Sequence, residues 1–178
     1  MLERLVDHVS RHGLSELSLR ELADGVGTSH RMLLYHFGSR AGLVAAVAAA
    51  VEERQRAALA AIPPEAATQA EVVEAVWRQV SDPAVLPFVP LFFEVLGQAL
   101  QRRPGTDDFL AHLTAPWVEE GLALARSRGA GDHLGPADAQ LAIAVVRGLL
   151  VDLAATGDRA AAGAALGRFT ALLRAADR

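Results

Sequence analysis

The stretch SLRELADGVGTSHRMLLYHFGSR, residues 18–40, decides how this chain is read. Ser18 stands three residues ahead of Glu21, the spacing of a capping box, and Leu19, Leu22 and Ala23 supply the apolar side of the short helix that follows. Gly25-Val26-Gly27 then interrupts the pattern, and Thr28-Ser29 offers a hydroxyl cap for a second short helix that Gly38 closes. On that second helix His30, Arg31, Tyr35 and His36 are expected to face outward while Met32 and Leu33 hold it inward. Two short helices joined by a Gly-containing turn, the second polar and basic on its outer side, make a helix-turn-helix. Donors on one face and anchors on the other suit the base edges and phosphates of DNA. The helix starts at Ser18 and Ser39 add backbone N–H groups of the kind that meet phosphate oxygens.

Working outward, Leu2, Leu5, Val6 and Val9 share one helical face and predict a first helix over residues 2–11. Ser39 caps a long helix reaching about residue 61. The run Gly13-Leu-Ser-Glu-Leu-Ser-Leu-Arg-Glu-Leu-Ala23, followed by Val26-Gly-Thr-Ser29 and Leu33-Leu-Tyr-His-Phe-Gly-Ser-Arg40, resembles the DNA-binding domain of TetR-family regulators across nearly all of residues 1–47. That resemblance implies that Thr28, Ser29, His30 and Arg31 open the recognition helix, and that Tyr35, His36 and Arg40 contact backbone phosphate or nearby bases. Two features depart from the family pattern. Leu34 stands where the family usually has an aromatic, and the sequence begins at the first helix, without the basic arm that commonly precedes it; the departures imply either a weaker hold on DNA or a truncated chain.

The charge distribution agrees with a DNA-facing N-terminal part. The net charge is −4, yet residues 1–45 balance five Arg against five acids, and residues 25–51 contain no carboxylate. His30, Arg31, His36 and Arg40 fall in that acid-free window, a modest positive patch for a phosphate backbone. All seventeen basic residues are Arg, which says little about function. With 52% hydrophobic but only 5% aromatic residues, the apolar mass is Ala, Leu and Val, which favours helix.

Pro63-Pro64 marks the expected junction between residues 1–47, with their connecting helix, and a second domain over residues 62–178. Further helices are expected at about 68–81, 84–103, 106–128, 136–156 and 158–177. The expected fold is therefore all-α: a three-helix DNA-binding domain followed by a helical ligand-binding and dimerisation domain. Trp77, Phe88, Phe92, Phe93, Leu96, Phe109 and Trp117 lie on the middle helices, and large aromatics with few polar groups line small-molecule cavities. Ordinary core packing explains any one of them equally well. Pro87 and Pro90 are expected to prevent a regular helix start around Phe88 and to leave that segment able to shift. Arg147, alone in an apolar helix, is expected either to pair with an acid such as Glu94 or Asp152 or to meet an anionic ligand.

The last two helices are Ala-rich and apolar nearly all round, with small residues at Ala142, Ala144, Gly148, Gly163 and Gly167. Such helices must be covered, and the expected cover is a second copy in a two-fold four-helix bundle. A dimer would set two recognition helices about one DNA turn, ~34–36 Å, or somewhat more apart and predicts a palindromic operator.

Other function classes are less favoured. The absence of cysteine removes disulfides, thiolate zinc sites and cysteine nucleophiles. The sequence shows no H-E-x-x-H, G-x-S-x-G, P-loop or dinucleotide fingerprint, and His8 with His12 at i, i+4 is too small a set for a metal site. No enzyme activity, cofactor or metal is expected. No secretory pattern opens the chain, and Arg147 and Asp152 interrupt its most hydrophobic run, so a cytoplasmic location without a membrane span is expected. The expected function is a ligand-responsive transcriptional regulator, most simply a repressor released by a hydrophobic or amphipathic effector. The alternative is a helical ligand-binding or scaffold protein with weak or lost DNA binding.

Overall fold

The computed structural model describes residues 1–60, 68–127 and 134–176. The described residues form α1 (Leu2–His12), α2 (Leu19–Gly25), α3 (His30–Phe37), α4 (Arg40–Ala60), α5 (Gln69–Val80), α6 (Phe88–Leu100), α7 (Ala115–Ser127), α8 (Pro136–Thr156) and α9 (Arg159–Ala176). The fold is all-helical. The junction expected at Pro63-Pro64 lies outside the described residues.

Local chemistry sets most helix boundaries. Ser18 Oγ accepts the Glu21 N–H at 3.3 Å while the Glu21 carboxylate accepts the Ser18 N–H at 2.8 Å, closing a capping box at α2. Hydrogen bonding to the Ser18 side chain, then to its backbone N–H, holds the Glu21 carboxyl below its ordinary pKa. Thr68 and Glu71 repeat the device at α5. Ser29 Oγ accepts the Met32 N–H at 3.2 Å and starts α3, and Ser39 Oγ accepts the Gly42 N–H at 3.0 Å near the start of α4.

Two middle helices start later than expected. The chain leaves α5 through a turn at Asp82, whose carboxylate accepts the Ala84 N–H at 2.7 Å, and α6 begins only at Phe88. Pro87 and Pro90 do not prevent that start. Pro87 stands at the cap and Pro90 in the first turn, where a missing N–H costs the helix nothing. Residues 101–114 are turns rather than the start of the next helix: Arg102 has φ 54° and Gly105 φ 90°, and Thr106 Oγ1 donates to the Arg103 carbonyl at 2.7 Å. Regular helix resumes at Ala115, with Pro116 in its first turn.

The helices gather into two compact units. The first joins residues 1–56 with residues 87–112, so α6 packs with α1. Leu5, Val6, Leu22, Leu33, Leu43, Val47, Leu91 and Val95 form its core, all but excluded from solvent. The second joins residues 57–86 with 113–178, where α5, α7, α8 and α9 pack around Val73, Trp77, Val146, Leu153 and Leu166. Thr170, fully buried on α9, donates to the Glu74 carboxylate on α5 at 2.9 Å, and Arg174 reaches the same carboxylate at 2.7 Å. By length and composition α8 is apolar enough to cross a membrane, but it carries Arg147 midway and packs on α5, α7 and α9.

Candidate nucleic-acid interface

The turn between α2 and α3 depends on two glycines. A side chain on Gly25 would place its Cβ 2.3 Å from the His8 imidazole, so only glycine lets α1 and α2 approach this closely with the ring in place. Gly27 adopts φ 69°, a left-handed conformation that reverses the chain, and the Thr28 N–H then donates back to the Ala23 carbonyl at 2.9 Å. α3 leaves the turn fixed at its start by Ser29 and anchored by Leu33, which is only 1% exposed.

α3 carries His30, Arg31, Tyr35 and His36, all exposed, with Tyr35 the most open of the large hydrophobic side chains among the described residues at 80%. The Tyr35 and His36 rings meet edge to face at 5.5 Å. Met32 departs from expectation. It is 40% exposed on the outer side rather than an inward anchor, and Leu33 with the half-buried Phe37 holds the helix instead. Leu34 is also open, at 36%. Ser29 is exposed and Thr28 half-buried at the mouth of the helix, while Ser18, also exposed, caps α2.

Arg40 also departs from expectation. Its guanidinium donates to the carbonyls of Leu17 at 2.6 Å, Leu14 at 2.9 Å and Ser15 at 3.3 Å. It closes the loop between α1 and α2 rather than reaching outward for phosphate. The opposite side of that loop is held from α6: Glu94 accepts the N–H groups of Leu14 and Ser15, and Gln98 donates to Ser15 Oγ at 3.1 Å. Arg54 on α4 ties α1 rather than the loop, pairing with Glu3 at 2.6 Å and Asp7 at 3.3 Å while its guanidinium carbon lies 4.1 Å from the Phe88 ring centre. Glu94, Gln98 and Arg54 were not read as site residues from sequence. A signal existed for two of them, since Glu94 and Gln98 are the only polar side chains of α6 and stand four apart on one face.

The expected ligand-binding residues do not fall in one unit. Phe88, Phe92, Phe93, Leu96 and Phe109 belong to the first, where Phe92 meets Phe93 at 5.1 Å and Phe109 at 5.7 Å between ring centres. Phe92 and Phe109 are buried there, and Phe88, Phe93 and Leu96 half-buried. Trp77, Trp117 and Arg147 belong to the second, Trp77 buried and the other two half-buried. Arg147 donates to the Leu113 carbonyl and the Thr114 hydroxyl, and burial draws its guanidinium below the ordinary arginine value.

Comparison with known proteins bears on the same residues. Residues 6–47 match the model of the bacterial regulatory proteins of the tetR family. No curated protein matches the chain. Among solved structures, one assigned to the TetR-family transcriptional regulators of Rhodococcus sp. superposes with TM-score 0.72 at 24% identity, covering 97% of this chain and 95% of that one. A transcriptional regulator from Rhodococcus sp. Rha1 gives TM-score 0.81 at 18% identity over 97% and 92% of the two chains. A third, from Pseudomonas aeruginosa PAO1, gives 0.62 at 19% over 99% and 88%. At these identities the likeness to the solved structures is one of fold.

Proposed function

We propose that this chain, whose residues 6–47 match the model of the bacterial regulatory proteins of the tetR family, is a DNA-binding transcription factor of that family, a ligand-responsive repressor acting in the cytoplasm as a homodimer on a palindromic operator. One observation carries the reading: α3 is anchored through Leu33 and leaves His30, Arg31, Tyr35 and His36 exposed, with Arg31 and Tyr35 on the side opposite Leu33. In this reading Arg31 and His30 meet base edges or phosphates, Tyr35 and His36 lie against the backbone, and Ser29 and Thr28 approach it at the helix start. Ser18 and the N-terminus of α2 meet a neighbouring phosphate.

The dimer forms through α8 and α9. Leu141 (54% exposed), Val151 (44%) and Leu172 (52%) leave apolar side chains open on these helices. Gly148, Gly163 and Gly167 have open space where a Cβ would stand, so packing within the chain does not demand their smallness. Small residues with open faces favour close approach of a second copy.

The effector is a hydrophobic or amphipathic small molecule, a class suited to the aromatic cluster of Phe92, Phe93 and Phe109 around α6. Its binding alters the position of α6, which holds the α1–α2 loop through Glu94 and Gln98. The response is a population shift between a dimer at operator spacing and one that is not. A gel shift of the full chain against DNA flanking its own coding region, at low and near-physiological salt, tests the reading. A discrete complex surviving the higher salt supports it, and none from a folded dimer returns the chain to the sensor or scaffold class.

A further inference from the structure

We propose that Met32 is a specificity residue that reads the 5-methyl group of a thymine in each operator half-site; the inference rests on the DNA-reading function above and extends it. Successive helical residues turn about 100° apart, so Arg31, Tyr35 and Met32 share the side of α3 opposite Leu33 and Phe37, with His36 and Leu34 on its two flanks. Leu33 is buried at 1%, whereas Met32, one residue earlier, is open at 40%, so its side chain belongs to the outer face. Its backbone is fixed: the Met32 N–H donates to Ser29 Oγ at 3.2 Å, which places it in the first turn of α3. In a helix-turn-helix that turn lies nearest the base edges.

The chemistry then narrows the target. Arg31, Tyr35 and His36 offer hydrogen-bonding groups, but Met32 offers none of use to a base edge, and the apolar feature of the major groove is the thymine methyl. A thioether on three rotatable bonds can follow that methyl across small differences in docking. Leu34, at 36% exposed, lies toward the flank of α3 and away from Tyr35, so it is the poorer candidate. Arg31 and Met32 are adjacent in the chain, which puts the thymine beside the base pair that Arg31 reaches.

The test uses the full chain to select duplexes from a random pool, then replaces each thymine of the enriched sequence by uracil, which removes the methyl group alone. Wild-type affinity is expected to fall about fourfold at one thymine per half-site, the effect of one buried carbon. Met32→Ala is expected to bind the thymine and uracil duplexes equally at that position with its helical spectrum unchanged, and Met32→Leu to restore the discrimination. A wild-type scan that is flat at every thymine, or a Met32→Ala protein that keeps the full fourfold step, overturns the assignment while leaving DNA reading intact. A pool that yields no enriched sequence overturns the DNA-reading function, and this inference with it.

Discussion

The carboxylate of Glu94 on α6 accepts the backbone N–H of Leu14 at 2.8 Å, eighty residues away in sequence, and that of Ser15 at 2.5 Å. Arg40 binds the carbonyls of the same loop from the other side. The loop between α1 and α2 therefore has its donors satisfied by an anion and its acceptors by a cation, each brought from a different helix. Leaving two such donors without an acceptor costs about 1–3 kcal/mol. Glu94→Ala is expected to lower the melting temperature by roughly 2–4 °C for each kcal/mol lost, with Glu94→Gln, which keeps one acceptor oxygen, losing less. Thermal melts followed by circular dichroism measure this; an unchanged Glu94→Ala melt would show that the bond contributes nothing.

Arg31 and Arg40 should separate binding from folding. Arg31 is exposed on α3, whereas Arg40 is half-buried and engaged with three carbonyls. Arg31→Ala is expected to weaken operator binding by about fivefold or more, about 1–3 kcal/mol, with stability unchanged. Arg40→Ala is expected to lower stability by about 1–3 kcal/mol and to weaken DNA binding only through the loosened loop. Parallel melts and binding titrations decide; a fully stable Arg40→Ala protein that has lost DNA would restore Arg40 to direct phosphate contact.

The contrast between these residues shows what a sequence carries. Capping at Ser18, Ser29 and Thr68 is local chemistry within three residues, and those helix starts are legible from sequence. So are Gly27 at the left-handed turn and Gly38 after α3. The direction of Met32 and Leu33 is only half legible, because two adjacent apolar residues on a short helix do not say which is inward. The inward course of Arg40 and the grip of Glu94 are not legible, since their partners lie 23 to 26 and 79 to 80 residues away. The turns at residues 101–114 replace an expected helix because Pro104-Gly105 and its left-handed neighbour Arg102 outweigh the apolar pattern that follows. The assignment of α6 to the unit of α1 likewise depends on long-range packing.

Stability should fall on mild acidification, through His8. Its ring stacks on His12 at 4.3 Å between centres and lies against Gly25. Burial, then the charges of His12 and Arg11, hold its pKa below the ordinary 6.5. The folded state therefore binds fewer protons than the unfolded chain, so this contribution is complete above about 6.5 and is lost as the pH falls below it toward the folded value. Melting temperature should drop as the pH falls below about 6.5, and His8→Gln should flatten that slope. Gly25→Ala, whose Cβ displaces the ring, should flatten it too. Identical pH slopes for wild type and both variants would rule out His8 as the source.

The proposed dimer makes the open faces of α8 and α9 indispensable to DNA binding while leaving the fold of one chain indifferent to them. Val151 and Leu172 are exposed, so a carboxylate at either position meets water in the single chain and costs little. Across a two-fold interface the same carboxylate is buried opposite its own copy or an apolar surface, where an unpaired charge costs several kcal/mol. Val151→Glu and Leu172→Glu are therefore expected to sediment as monomers with unchanged helical spectra, and to lose operator affinity by far more than either recognition helix could explain, because each half-site is then bound alone. A palindrome and a single half-site should differ sharply in affinity for the wild type and hardly at all for the variants. Variants that remain dimeric in sedimentation would move the interface off these helices, and monomeric variants that still favour the palindrome would separate dimerisation from operator recognition.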